Sequence, residues 1–220
     1  MTISAAYRIC PAEGPEPDYR EIISDANLRR RLGRIVRMGV AAGLECMRQV
    51  PGAGIDAVIA STALGCIADT EKFLSETVTR KEAMLNPSSF IYSTFNTVAG
   101  QIALMKGLKG YNMTYADGGL SFRSALTDAY MCLSEGMQNV LVVAYDETSL
   151  SVKTVFERLG RRYIDSDEAM GFIISSCRPG VSLDLPSFLD DAASGIDHRD
   201  MAGNITLARA LYDMYKSAAV

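Results

Sequence analysis

The run "NVLVVAYDE", residues 139–147, constrains this chain most. Between its first residue and the closing Asp146-Glu147 it is apolar at both odd and even positions, so it has no solvent face. A strand of that kind is covered on both sides, which requires a sheet sandwiched between layers of helix. Four further stretches read as strands: "AYRIC" at 6–10, "IDAVIAST" at 55–62, "NMTYA" at 112–116 and "AMGFIISSC" at 169–177. Helical patterns lie between them, and the alternation indicates an α/β layered domain.

The helical segments differ in clarity. From Tyr19 to Val50 the pattern is helical, with Leu28, Leu32, Ile35 and Met38 on one face, and Pro51-Gly52-Ala53-Gly54 ends it. A short helix is expected at Ala68–Thr79 and a break at "NPSSF", 86–90. A helix of small and apolar residues follows over 96–110, closed by Gly107 and Gly110. After the strand at 112–116 comes a tight turn, Asp117-Gly118-Gly119, and then a helix over 120–135. In that helix Phe122, Leu126, Ala129 and Leu133 share a face, Asp117 is placed to cap the start, and Gly136 ends it as a left-handed cap. Residues 148–168 are the least regular region and read as an exposed excursion, whereas 198–220 is amphipathic and helical, with Leu207, Leu211 and Met214 on one face.

The chain has 220 residues, 48% of them hydrophobic, enough for one sizeable core, so a single domain spanning 1–220 is expected. The net charge of −4 argues against nucleic-acid binding, which needs a basic surface. No apolar run reaches the roughly 18–20 residues of a membrane span. The N-terminus lacks the layout of a signal peptide, so the cytoplasm is the expected compartment.

Candidate chemistry is sparse. His198 is the only histidine, in the polar turn "GIDHRDMAGN", and reads as a surface or capping residue. With five cysteines scattered at 10, 46, 66, 132 and 177, a zinc cluster is not expected, and neither is any other metal or cofactor. Cys46, Cys132 and Cys177 read as small core residues. Cys66, after the glycine of "STALGC", is in a place that allows exposure, though no base or cation stands beside it to form a thiolate.

Four segments in order resemble the N-terminal half of a β-ketoacyl synthase, of the thiolase-like condensing enzymes. They are "DAVIASTALGC", "NPSSFIYSTFNTVAGQIALMKGLKG", "GYNMTYADGGLSFRSALTDAYMCLSEGMQNVLVVAYDE" and "DEAMGFIISSC". The resemblance implies a thiolase-like half fold with a five-stranded mixed sheet in the order 3-2-1-4-5, covered by helices. It also implies two departures. The nucleophilic cysteine of an active synthase falls at Gly119, give or take one residue, and Gly118 and Leu120 are not nucleophiles either. The family's catalytic histidine pair belongs to a C-terminal half that this sequence does not include. A synthase-like chain without its cysteine resembles a chain-length factor, the catalytically silent partner in type II polyketide systems. Short forms resemble the partners used in aryl-polyene and flexirubin-type pathways.

From this likeness come the expected sites. The strand Asn112, Met113, Thr114, Tyr115 and Ala116 lies at the sheet edge, where pairing with an active ketosynthase subunit would form a heterodimer. Phe90, Tyr92, Phe95 and Val98 stand beside the partner's acyl tunnel, or simply pack the core. Arg30, Arg34 and Arg37, within a cluster of five arginines, dock an acidic acyl carrier protein, or form a solvated face paired with Glu21, Asp25 and Glu45. Two other readings stay open: an acyltransferase or hydrolase using Cys66, and a homodimeric scaffold that binds an acyl carrier.

Overall fold

The computed structural model describes residues 1–81 and 87–219. The chain opens with β1 (Thr2–Ile9), then α1 (Tyr19–Ile22), α2 (Ala26–Arg31) and α3 (Arg34–Gln49). Next come β2 (Ala57–Ser61), α4 (Ile67–Thr79), α5 (Pro87–Tyr92) and α6 (Thr97–Lys106). The middle holds β3 (Tyr111–Tyr115), a 3-10 turn at Gly118–Leu120, α7 (Ser121–Ser134) and β4 (Asn139–Asp146). The remainder is α8 (Leu150–Arg158), β5 (Glu168–Ser175), β6 (Val181–Ser182), α9 (Leu185–Ala192) and α10 (Gly203–Ala218).

The sheet has six strands in the order β3-β2-β4-β5-β1-β6. β2 pairs in parallel with β3 and β4, whereas β5 is antiparallel to both β4 and β1, and β6 is antiparallel to β1. The layered α/β class and the mixed sheet are as expected, but the strand order 3-2-1-4-5 is not. The physical reason lies in burial. Every residue of β2, β4 and β5 is buried, while β1 mixes buried and half-buried positions. The fully apolar strands take the centre, and β1 moves outward beyond β5. The two-residue β6 is too short to carry a pattern.

One core lies on each face of the sheet. On the first, Phe122, Leu126 and Ala129 of α7 and Ile205, Leu207 and Leu211 of α10 pack on Ile59, Val142 and Phe172. The Phe122 and Phe172 rings sit 5.6 Å apart at a tilt. On the second, Ile35, Met38 and Ala42 of α3 and Val98 and Ile102 of α6 cover Val58, Leu141, Val143 and Tyr145. Each fully buried large side chain contributes about 1.5–3 kcal/mol, and the two layers together anchor the sheet from both sides.

Three local expectations need correction. The single helix from Tyr19 to Val50 is three helices, because Asp18 and Asp25 cap new starts and Gly33 interrupts the chain before α3. Residues 87–92 form α5 rather than a break, since proline suits the first helical position; Asn86 lies outside the described residues. The segment 148–168 contains α8, whose start is capped by Ser149 accepting from the Val152 N–H at 3.2 Å. No residue of α8 is buried: its apolar stripe of Val152, Val155, Phe156 and Leu159 stays half-buried or exposed. Gly136 ends α7 as expected, at φ +104°, with the Met137 N–H bonded to the Cys132 carbonyl. Among the described residues no helix is long and apolar enough to cross a membrane.

Candidate functional site

The turn between β3 and α7 is built by backbone and a serine. Gly118 has φ +52°, a conformation that favours glycine. Asp117 makes no capping bond with its side chain, contrary to expectation. Ser121 replaces it: its hydroxyl accepts from the Asp117 N–H at 2.8 Å and faces the Gly118 and Thr62 carbonyls at 2.7 and 2.8 Å. The serine reaches both the turn and the end of β2, which the aspartate cannot.

A loop from the C-terminal part of the chain lies directly on this turn. A Cβ placed on Gly118 would come within 2.0 Å of the His198 carbonyl oxygen. One on Gly119 would come within 2.2 Å of the Asp200 oxygen and 2.4 Å of the Asp197 oxygen. These contacts are with backbone, so no rotamer change relieves them. The loop is fixed in turn. The Asp197 carboxylate accepts from the N–H groups of Arg199 and Asp200, the Asp200 carbonyl accepts from the Gly203 N–H at 2.8 Å, and Arg162 pairs with the Asp200 carboxylate at 3.0 Å. Gly119 is buried, and Gly118–Leu120 offers no nucleophile. His198 touches the turn only through its carbonyl, and its side chain is exposed.

Beneath the turn sits a buried polar network that sequence reasoning did not single out. Asp146, at the end of β4, accepts from the Thr62 hydroxyl at 2.6 Å, the N–H groups of Ala63 and Leu64, and Asn204 Nδ2 at 2.7 Å. It ties the β2–α4 turn to the start of α10. Burial pushes its carboxyl up to about 6 even with these donors opposing the shift. Glu147 accepts from the Ala68 N–H at 2.9 Å, and burial pushes it up to about 7. Two acids closing an otherwise apolar run were the visible signal for this network.

Two cysteines stand elsewhere than the sequence suggests. Cys66 is buried, and burial together with the charges of Glu147, Asp69 and Asp146 pushes its thiol up, away from thiolate. The α4 start turns it inward beside β4. Cys177, expected in the core, is exposed, because β5 ends two residues earlier. Cys46 and Cys132 are buried as expected.

The residues Phe90, Tyr92, Phe95 and Val98 do not form one surface. Phe90 is 57% exposed and rests against Phe73 at 5.4 Å; Phe95 is 48% exposed and its ring lies on Gly65. The Phe95 carbonyl accepts from the buried Tyr145 hydroxyl at 2.5 Å. Tyr92 is half-buried, and Val98 is wholly buried against Gly39 of α3. β3 stands at the sheet edge and pairs only with β2 among the described residues. Asn112 and Met113 are exposed on it, Thr114 and Tyr115 are half-buried, and Ala116 follows it into the turn. Exposed Met131 of α7 lines a hollow beside Tyr115 of that strand.

Nor do the arginines share one state. Arg34 pairs with Glu16 at 2.5 Å and with Asp167. Arg37 lies over the Tyr19 ring at 5.8 Å, and Arg30 donates to the Asn27 side chain at 2.5 Å. The expected partners differ: Asp25 caps α2, and Glu45 pairs with Arg48. Arg20, Arg29, Arg30 and Arg37 line a hollow of about 320 Å³.

No curated protein sequence matches the chain significantly. Solved structures do match in fold, among them three that are each below one fifth identity. "The ishigamide ketosynthase/chain length factor" aligns at 17% identity and TM-score 0.66, over 80% of this chain and 62% of that one. A chain of the complex of the ketosynthase ApeO with its chain length factor ApeC from Xenorhabdus doucetiae aligns at 13% identity and TM-score 0.65, over 96% of this chain and 92% of that one. A type II acyl-carrier protein complex with its ketosynthase, AntDE:AntF, aligns at 14% identity and TM-score 0.63, over 80% and 62%. The chain thus spans less than two thirds of the first and third of these. The family model for the β-ketoacyl synthase N-terminal domain matches residues 5–201, and the chain belongs to that family.

Proposed function

We propose that this chain is a catalytically silent, chain-length-factor-type subunit that pairs with an active ketosynthase and shapes its acyl tunnel in polyketide synthesis. The observation that carries the reading is the sealed turn. Where the resemblance puts a nucleophile, Gly119 is buried under the carbonyls of Asp197 and Asp200, with no room for a side chain. A serine or cysteine nucleophile is commonly activated by a histidine. His198, the one histidine, is turned to solvent.

Pairing is the role left to β3. Its free edge and the exposed Met113 and Met131 beside it are the features that a partner strand would cover. The partial exposure of Phe90 and Phe95 supports these two as the groups that reach a partner's tunnel, with Val98 behind them in the core. The hollow beside Arg30 and Arg37 supports carrier-protein docking there, with Arg34 held by carboxylates. An aryl-polyene type of pathway follows from the likeness to short chain-length factors, and the near full-length alignment with a chain of the ApeO–ApeC complex supports it.

The test is co-expression with candidate ketosynthases from the same genome. Co-purification at equal stoichiometry, with products of defined length only from the pair, supports the reading. A chain that stays alone with every candidate contradicts it.

A further inference from the structure

Phe95 lies in the short link between α5 and α6, and 48% of it is exposed. A side chain this open keeps rotamer freedom unless its backbone and the surface under its ring are both held. Both are held here, and from one place, the end of β4. The backbone is held by Tyr145. Its ring is wholly buried on the α3 side of the sheet, and its hydroxyl donates to the Phe95 carbonyl at 2.5 Å. The core around that ring is otherwise apolar, with Ile35, Met38, Val98 and Val143, and a phenylalanine would suit it as well. A buried hydroxyl costs free energy unless it is bonded, and the Phe95 carbonyl is its partner among the described residues. Burial pushes the Tyr145 phenol well up, so it stays a donor at any ordinary pH.

The surface under the ring is the turn after β2. The ring lies on Gly65, where a Cβ would come within 2.4 Å of two ring carbons. The Gly65 N–H donates to the Thr62 hydroxyl oxygen at 2.7 Å. The Thr62 hydroxyl and the Ala63 and Leu64 N–H groups donate in turn to Asp146. Tyr145 and Asp146 are consecutive, and consecutive strand residues point to opposite sides. One grips the Phe95 backbone while the other fixes the seat beneath its ring.

We infer that Tyr145 is a positioning residue for product length: through its hydroxyl it sets how far the Phe95 ring projects from its seat on Gly65. The inference rests on the tunnel role proposed for Phe95. Tyr145 itself, wholly buried, touches no acyl chain and acts only through the Phe95 backbone.

Two measurements on Tyr145→Phe, which keeps the packed ring and removes only the hydroxyl, test it. In the chain alone, hydrogen exchange of the Ser93 and Thr97 amides, bonded to the Phe90 and Thr94 carbonyls, should speed up about tenfold, the scale of one lost hydrogen bond. In the pair with the ketosynthase, the product should become longer and its lengths more spread. Tyr145→Phe combined with Phe95→Ala should add nothing to Phe95→Ala alone. Ile174→Val, which loosens the core on the other face, should leave product length unchanged. Unaltered exchange overturns the positioning itself. Unchanged length in Tyr145→Phe, where Phe95→Ala does change it, overturns the inference and leaves the tunnel role of Phe95 standing. Additive shifts in the double variant, or an equal shift from Ile174→Val, overturn the route through Phe95. No change of length in either Tyr145→Phe or Phe95→Ala overturns both the inference and the role it rests on.

Discussion

The carbonyl oxygen of Asp200 stands 2.2 Å from where a Cβ of residue 119 would be, so Gly119 and Asp200 close the turn against each other. A nucleophile cannot be restored there by one substitution. Gly119→Cys should lose about 3 kcal/mol or more by overpacking a backbone contact, and should gain no acyl-transfer activity. Chemical denaturation and an acyl-loading assay check both parts. A stable variant that takes up an acyl group would show the turn to be open.

The free edge of β3 leads to a second expectation. Met113→Lys puts a charge on a side chain that is 39% exposed. Stability should change by no more than about 0.5 kcal/mol, while association through the edge is abolished. Sedimentation of the variant with and without its partner reports this; an undiminished complex would place the interface elsewhere.

How much of this was legible in sequence depends on how local the cause is. β4 and β5 announce themselves because every position between Asn139 and Asp146, and every position after Glu168, is apolar or small, and Gly136 marks the end of α7 by itself. The outward place of β1 depends on which strands win the centre, a competition no single segment records. α8 has no buried face, yet Val152, Val155, Phe156 and Leu159 keep helical spacing and Ser149 is a readable cap, so this helix was legible in the residues. The turn at Gly118-Gly119 was visible as a sharp turn, but its cover comes from residues some 80 positions later in the chain. Likewise Asp117 sits in the right place to cap, yet Ser121 holds the turn because it also reaches the Thr62 carbonyl just past the end of β2.

Glu147 makes stability depend on pH. Burial raises its carboxyl from the ordinary 4.5 to about 7, so the folded chain holds the proton more tightly than the unfolded chain. Its contribution is full below about 4.5 and is lost as pH rises towards 7. Glu147→Gln keeps the acceptor for the Ala68 N–H and removes the titration. Relative to the parent it should gain on the order of 1–3 kcal/mol between pH 5 and pH 8 in urea unfolding. Parallel stability profiles for the two proteins would remove Glu147 as the source.

Thiol accessibility separates a silent subunit from a cysteine enzyme. Exposed Cys177 should react first, half-buried Cys10 more slowly, and Cys46, Cys66 and Cys132 only on unfolding. Peptide mapping after brief alkylation reads the order. Rapid modification of Cys66 in the folded chain would revive the acyltransferase reading.

Phe95→Ala removes a ring that is half exposed on Gly65, at a stability cost of about 1–2 kcal/mol. With the complex intact, mass spectrometry of the product should show a longer chain. Unchanged product length would take Phe95 out of the tunnel.

The most direct measurement is the intact mass of both subunits after the purified pair is loaded with an acyl thioester. A silent partner paired with an active ketosynthase requires a one-to-one complex in which the acyl group appears on the ketosynthase alone. An acyl adduct on this chain, or no complex at all, would contradict that role.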